Sequence, residues 1–461
     1  MASCHAAPSF NGTAGALRGS ILRSRRAHKM WKRKIKMVSK TTSRSRKPNH
    51  GRPAPFPRAR FAVLSDVHYY DTSLGTGSSF VKMIAGTRDI KLLADSPEIM
   101  ESTVQSILAE KVDFVILCGD LTKDGERSSH ELLARALKRL VAGGVRVFVV
   151  NGNHDVQNDR ACRYSRGVEE RIDSVSPAEF AAIYADLGYG TAVERDPASL
   201  SYVVEPFPGL WLVAMDSCRW REKFLEEGKF YPETVAWIKR VLHKARQQKK
   251  AVIGMMHHGV LEHYQGNKKY YGAYVIEDHE RISTLFAQGR MKIVFTGHFH
   301  AQDIALKRWE TPGCFLYDVE TGSLVTYPCP YRIVTIDENQ TMHIESRKVE
   351  TTQSHPADFG DYAYRYSYSI TKILVIKTLR RWLISGKDAE LLAPQIVDAF
   401  TAHCTGNERE PEEVLNFRGV GWWGKTVLSR KIDLLDGLWH NGPPPDNHLT
   451  IDLRTGDYQG T

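Results

Sequence analysis

The chain of 461 residues is 42% hydrophobic and 25% charged, enough to bury a full core and to fill roughly two to three domains. Its seven scattered cysteines contain no C-x-x-C pair, which argues against both a zinc finger and a disulfide framework, so a reducing, cytoplasmic setting is expected. The net charge of +10 is local: sixteen of the 63 basic residues and none of the 53 acidic ones fall in residues 1–60, leaving 47 basic against 53 acidic, a net of −6, in the remainder.

Residues 1–59 have too little apolar periodicity to pack and are expected to form a basic disordered tail. Their Arg- and Ser-rich, acid-free composition fits a transit peptide to an organelle, a nucleic-acid-binding arm, or translated upstream sequence with initiation at Met30 or Met37, the last being favoured. From residue 60 strands and helices alternate. Residues 61–64 read as a buried strand running into Asp66-Val-His68, Ser96 with Pro97 opens a helix reaching residue 110, and 112–117 form a second strand ending at Gly119-Asp120. A helix with an i, i+3, i+4 apolar stripe spans 127–141, and strand 147–150 runs into Asn151-Gly-Asn-His-Asp155. After a polar segment over 158–199, strand 210–215 ends at Asp216 and a helix over 232–247 begins with Pro232. Strand 251–256 ends at His257-His258, and 291–295 ends at Thr296-Gly-His298-Phe-His300. The stretch 314–349 is rich in strands, with a turn at Asp337-Glu-Asn-Gln340. Residues 364–383, 388–402 and 411–438 read as helices carrying Trp382, Trp422, Trp423 and Trp439, a C-terminal cap or dimerisation element. The most apolar C-terminal stretch, 370–384, is interrupted by Lys372, Lys377, Arg380 and Arg381, so it reads as an amphipathic helix and no membrane span, and no membrane partner is expected.

Five apolar runs thus end in polar residues rich in His, Asp and Asn. If the strands are parallel in one sheet, Asp66, His68, Asp120, Asn153, His154, His257, His298 and His300 converge on its carboxyl edge. The i, i+2 spacing of Asp66-x-His68 and His298-x-His300 places both side chains of each pair on one face of an extended strand end. Such a set exceeds the needs of one four-coordinate ion and suits two ions sharing a carboxylate; mixed imidazole and carboxylate donors favour Mn, Fe or Zn. Two ions roughly 3.5–4 Å apart activate water and clamp the oxygens of an in-line phosphoryl displacement, so hydrolysis of a phosphoester is the expected reaction.

Asp66-x-His68, Gly119-Asp120, Gly152-Asn153-His154-Asp155, His257 and Gly297-His298-x-His300 resemble the ordered signature of the calcineurin-like metallophosphoesterases, bacterial cyclic-nucleotide-phosphodiesterase-like members above all. The resemblance implies an α/β fold, a two-sheet α-β-β-α sandwich over residues 60–350 followed by a helical C-terminal extension over 351–461. It implies that Asp66, His68, Asp120 and His300 hold one metal and Asp120, Asn153, His257 and His298 the other, with His154 facing the leaving oxygen. Lys123 stands where the protein Ser/Thr phosphatase branch has an Asp, which disfavours that branch and leaves the carboxylate partner of His154 open between Asp124 and Asp155. The expected activity is hydrolysis of a small organic phosphomonoester or diester, a cyclic nucleotide among them, by a metal-bound hydroxide. A metal-dependent nuclease served by the basic tail and a non-catalytic scaffold on the same fold are the alternatives, with nucleic acid disfavoured as a partner. His258, Tyr69, Tyr70 and Arg163, together with Tyr164, Arg166 and the clusters at 262–264 and 268–271, are candidates for substrate contact after the sheet-edge motifs.

Overall fold

The computed structural model describes residues 53–222, 225–264, 267–270, 272–408, 414–439 and 442–460; apart from residues 53–59 the expected basic tail lies outside them. In chain order the strands are β1 (Ala59–Leu64), β2 (Phe114–Cys118), β3 (Arg146–Val150), β4 (Cys162–Ser165), β5 (Val168–Arg171), β6 (Glu194–Arg195), β7 (Tyr202–Phe207), β8 (Leu210–Met215), β9 (Ala251–Met256), β10 (Ile293–Thr296), β11 (Asp303–Arg308), β12 (Phe315–Glu320), β13 (Pro330–Ile336), β14 (Thr341–Lys348), β15 (His448–Asp452) and β16 (Tyr458–Gly460). The α-helices are α1 (Ser78–Thr87), α2 (Ser96–Glu110), α3 (Arg127–Ala142), α4 (Pro177–Ile183), α5 (Pro232–Gln247), α6 (Asn267–Tyr270), α7 (His279–Gly289), α8 (Phe359–Arg381), α9 (Gly386–Thr405), α10 (Trp422–Ser429) and α11 (Ile432–Trp439).

The strands form two seven-stranded sheets, ordered β16-β15-β14-β13-β1-β2-β3 and β11-β12-β10-β9-β8-β7-β6, with β4-β5 a separate hairpin. Within the first, β1, β2 and β3 run parallel; within the second, β8, β9, β10 and β12 do. The motif-bearing strands therefore divide between two sheets, which corrects the single shared edge inferred from strand ends and agrees with the two-sheet sandwich that the resemblance implied.

Alternation along the strands explains the layering. In β8, Leu210, Leu212 and Ala214 join the large core that also holds Phe61, Val63, Phe114, Ile116, Ile253 and Phe295, the layer between the sheets. The intervening Trp211, Val213 and Met215 pack instead with Trp237, Ile238 and Val241 of α5 and with Phe286 of α7, on the opposite face of the second sheet. The first sheet is covered by Ile99, Met100 and Val104 of α2 and by Leu133, Leu137 and Leu140 of α3, a stripe at helical spacing. Burial of that size, at about 25 cal/mol per Å² of apolar surface, is the main force holding helices to sheets.

Beyond residue 350 the chain is not helical throughout. The expected helix over 411–438 is two short ones, α10 and α11, and residues 409–413 lie outside the described set. The chain then returns to the first sheet: β15 pairs antiparallel with β14, Ile451 opposite Met342 and Leu449 opposite Ile344. No helix among the described residues is long and apolar enough to cross a membrane.

Candidate metal centre

Each predicted ligand sits in the first residues after a strand. Asp66 and His68 follow β1, Asp120 follows β2, Asn153 and His154 follow β3, His257 follows β9, and His298 and His300 follow β10. The backbone that aims them is not extended. Asp66 (φ 50°), His68 (φ 39°), Asp120 (φ 47°), His298 (φ 78°) and His300 (φ 67°) all occupy the left-handed region, which costs a non-glycine residue of order 1 kcal/mol or more and is typical of functional turns. The i, i+2 pairs thus converge because both members turn left-handed, correcting the extended geometry expected from spacing. Two glycines permit the close approach. A Cβ on Gly152 would collide with the Asp120 amide and carboxylate, and one on Gly297 with Ser65 Oγ and Asp66 Oδ2.

The donor atoms fall into two groups joined by one oxygen. In the first, His300 Nε2 lies 3.1 Å from Asp66 Oδ1 and 3.3 Å from His68 Nε2, and His68 Nε2 lies 3.7 Å from Asp120 Oδ2. In the second, His257 Nε2 lies 3.3 Å from the same Asp120 Oδ2, 3.0 Å from Asn153 Oδ1 and 3.1 Å from His298 Nδ1. Protein N and O donors bind Zn-sized ions at roughly 2.0–2.1 Å, so ligand atoms on one ion are spaced by roughly 3.0–3.4 Å. The contacts here fall in or just above that range, the longest being His68 Nε2 to Asp120 Oδ2 at 3.7 Å and to Asp66 Oδ1 at 3.9 Å.

The remaining atoms of these side chains hold them in place. Asp66 Oδ2 accepts from Ser65 Oγ (2.6 Å) and from the His298 amide (2.9 Å), while its Oδ1 is buried with no hydrogen-bond partner. Asp120 Oδ1 accepts from the His154 amide at 2.9 Å, leaving Oδ2 to face both histidine groups. His257 Nδ1 is 2.9 Å from the Cys118 carbonyl, which makes it the protonated nitrogen and turns the lone pair of Nε2 into the site. A buried, hydrogen-bond-orphaned carboxylate oxygen among imidazole lone pairs is costly unless a cation joins them, so the residues fit a pair of metal ions. The electrostatics agree. Burial holds His68 and His298 well below the ordinary histidine range. Burial also works against the imidazolium of His257, yet the Asp120 carboxylate carries it up to about 9, so a cation binding at Nε2 would have to displace a proton that Asp120 holds there.

His154 is held differently. Its Nδ1 is 2.6 Å from the Lys123 carbonyl and 2.9 Å from Asp124 Oδ1, and its Nε2 is 3.9 Å from Asp120 Oδ2. Of the two carboxylates weighed as its partner, Asp124 is therefore the one in contact. Burial disfavours charge on His154, but Asp120 and Asp124 outweigh it and raise the pKa. Asp124 is itself fixed by an ion pair with Lys123 and by Asn158 Nδ2 at 3.2 Å, the latter also donating to the His154 carbonyl at 3.1 Å.

Asp155 has another task. Its carboxylate accepts from the amides of Leu121 (3.1 Å), Thr122 (2.9 Å) and Gly152 (2.7 Å) and from Thr122 Oγ1 (3.2 Å), tying the loop after β3 to the loop after β2. Stranding those buried donors costs about 1–3 kcal/mol each before relaxation. Asp155→Ala is accordingly expected to lower stability by about 3 kcal/mol or more, read from the denaturant midpoint of the purified variant; an unchanged midpoint would show that the carboxylate does not brace the loops.

The substrate candidates fare worse. A cavity of about 60 Å³ opens on the donor cluster, lined by His68, Asp120, His154, His298 and His300 and also by Asp89, Ile90, Lys91, Glu226, Tyr274, Phe299, Phe400 and Cys404. Tyr69, Tyr70, Arg163 and His258 are not among its walls. Tyr70 is fully buried, stacks on Phe80 and donates to the Gly75 carbonyl at 2.7 Å, and Arg163 points to solvent from the β4-β5 hairpin. His258 has Nδ1 on Ser217 Oγ (2.8 Å) and Nε2 on the Glu226 carbonyl (3.0 Å), and its ring packs 4.3 Å from that of His298, so it orients a donor. His263, from the cluster after His257, is buried against Asp303 at 2.7 Å. A groove of about 1040 Å³ lies elsewhere, bordered by Tyr327, Arg347, Lys348 and Asn447, and contains none of the predicted site residues.

Two sheets that deliver carboxylate, imidazole and amide donors to one buried point, with a single carboxylate oxygen between two donor groups, define an α/β protein built for a dinuclear metal centre. The sequence model of the calcineurin-like phosphoesterase family matches residues 59–302, more than half of the chain, and the chain belongs to that family of phosphoester hydrolases. Among solved structures it is similar to a dimetal phosphatase from Danio rerio, with 18% identity and a TM-score of 0.46 over 64% of this chain and 97% of that one. It is also similar to purple acid phosphatase PPD1 from yellow lupin (Lupinus luteus) seeds, with 13% identity and a TM-score of 0.41 over 66% of this chain and 53% of that one, so it spans about half the lupin enzyme. No curated protein matches the chain.

Proposed function

We infer that the protein is a di-metal hydrolase of small organic phosphomonoesters. Asp66, His68, His300 and Asp120 would hold one ion, and Asp120, Asn153, His257 and His298 the other, with Mn, Fe or Zn suited to the donors. The observation that carries this reading is Asp120 Oδ2, set 3.7 Å from His68 Nε2 and 3.3 Å from His257 Nε2, between the two donor groups. Two such ions supply Lewis acidity to the phosphoryl oxygens and make bound water acidic enough to act as the nucleophile. The protein's own groups do the rest. His154, raised toward its charged form by Asp120 and Asp124, is placed to give a proton to the leaving oxygen, and Asp124 keeps Nδ1 engaged so that Nε2 presents to the cavity. Free cysteines at 118, 162, 218, 314, 329 and 404 favour a reducing compartment such as the cytoplasm.

The preference for monoesters rests on the cavity. At about 60 Å³ it is far below the roughly 300–1,000 Å³ of pockets that enclose a drug-sized ligand, so a phosphate with a modest leaving group suits it better than a nucleotide. Lys91 adds charge. Its side chain is 4% exposed, it lines this cavity, and its ammonium, 3.4 Å from Asp89 Oδ2, helps to hold down the pKa of His68. A monoester carries one more negative oxygen than a diester, and a buried cation rewards that difference. Lys91→Met is expected to raise KM for p-nitrophenyl phosphate by about tenfold, as for loss of one charged hydrogen bond, while leaving hydrolysis of bis-p-nitrophenyl phosphate nearly unchanged and metal content intact. Equal losses on both esters, or a wild-type preference for the diester, would overturn the monoester reading.

A further inference from the structure

The C-terminal helices bury one side well and leave another unusually apolar. Val375, Leu379, Ile384, Leu392, Ile396, Leu428 and Leu435 form their shared core. Outside it, Leu383 is 75% exposed, Trp422 75%, Trp423 44% and Leu391 43%. These residues share one corner of the helical region. Ser385 Oγ accepts from the Asp388 amide at 3.1 Å and caps α9, and Asp388 Oδ1 accepts from the Gly421 amide at 3.1 Å, so the first turn of α9, which follows α8 directly, is tied to the turn before α10. Leu391 lies beside Gly419, and Lys431 sits over the Trp382 ring at 5.2 Å.

Charge on this corner is mainly basic, with Glu390 beside Leu391 the exposed exception and Asp388 buried against the Gly421 amide. Between residues 380 and 387 and between 414 and 431 the chain has no Asp or Glu, and Arg380, Arg381, Lys387, Arg418, Lys425 and Arg430 are exposed. We propose that this corner is a docking surface for an anionic lipid bilayer, with Trp422, Trp423 and Leu383 entering the headgroup region and the surrounding basic residues facing lipid phosphates. Tryptophan prefers the bilayer interface, and apolar insertion together with basic attraction is what holds a protein on a membrane it does not cross. A second copy of the chain is a poorer occupant. A two-fold contact places the patch against itself, so each basic cluster would meet its own image. A nucleic acid would pair with the basic residues but offers nothing to bury Leu383 and Leu391.

The test uses the full chain with vesicles of phosphatidylcholine alone, phosphatidylcholine with phosphatidylserine, and the same mixture carrying brominated acyl chains. Expected are salt-sensitive sedimentation with the phosphatidylserine vesicles and tryptophan quenching by the brominated lipid. Both should fall by about tenfold or more in the double variant Trp422→Ala/Trp423→Ala, and the vesicle binding in Lys387→Glu/Lys425→Glu, with hydrolysis in solution unchanged. Vesicle binding that survives the tryptophan substitutions would assign it to the basic residues before 60 and overturn the proposal. So would a failure to bind either vesicle, self-association in sedimentation velocity that the tryptophan variant abolishes, or retention of a DNA oligonucleotide in place of lipid.

Discussion

Asp120→Ala is expected to strip the protein of both metals and reduce kcat/KM by at least about 10³-fold, or about 4 kcal/mol of transition-state stabilisation. The prediction follows from one oxygen. Asp120 Oδ2 lies 3.7 Å from His68 Nε2 of one donor group and 3.3 Å from His257 Nε2 of the other, so its loss would leave each ion short of a ligand and remove the anion shared by the two groups. Alanine also strands the His154 amide, which Asp120 Oδ1 accepts at 2.9 Å, so part of any effect could come from a disturbed loop. Asp120→Asn separates these causes. The amide oxygen can still serve the His154 N–H while the bridging charge is gone, and the variant should fold as the wild type does yet bind little metal. Full metal content in Asp120→Asn would contradict the bridging assignment.

His154→Gln is the second large effect, and of the opposite kind. Metal content should stay at the wild-type level, because Nδ1 of the side chain is fastened to Asp124 and to the Lys123 carbonyl while Nε2 stands 3.9 Å from Asp120 Oδ2. The rate should fall by about 10²–10⁴-fold on an alkyl phosphate, the range for loss of a general acid. On p-nitrophenyl phosphate the loss should be much smaller, since p-nitrophenolate leaves without a proton. That difference between leaving groups is the signature sought. Equal losses on both substrates, or loss of metal in proportion to rate, would place His154 among the ligands instead.

Much of the centre was legible because a chain leaving a buried strand has only its next few residues to present at the sheet edge. Apolar runs followed at once by Asp66, Asp120, Asn153, His257 and His298 therefore carried the position and the donor types of the candidate site. What could not be read was the three-dimensional partition. Nothing in β1 or β9 alone says that they lie in different sheets, since a strand buried on both faces looks the same in either. The left-handed turns at Asp66, His68, Asp120, His298 and His300 were hidden for a related reason, since only Gly119 and Gly297 hint at tight backbone there. Lys91 carries no local signal, because it lies between α1 and α2 and reaches the cavity through tertiary packing; Phe400 and Cys404 belong to a helical stripe indistinguishable from core. The helical reading of residues 351–461 misses the return of the chain to the first sheet, although its pattern is local. Leu449-Thr450-Ile451 alternates apolar and polar residues, and Leu449 and Ile451 are the buried members of β15. The unresolved choice between Asp124 and Asp155 turned on which way two adjacent loops face, and only coordinates show Asp155 engaged with backbone amides while Asp124 meets His154.

The central claim, two ions acting together through Asp120, is tested most directly by titrating metal-free protein with Mn while following hydrolysis of p-nitrophenyl phosphate. The expected result is turnover that rises only as a second equivalent per chain binds and then levels off. A rate that saturates at one equivalent, or that needs no added metal in protein shown to contain none, would contradict it.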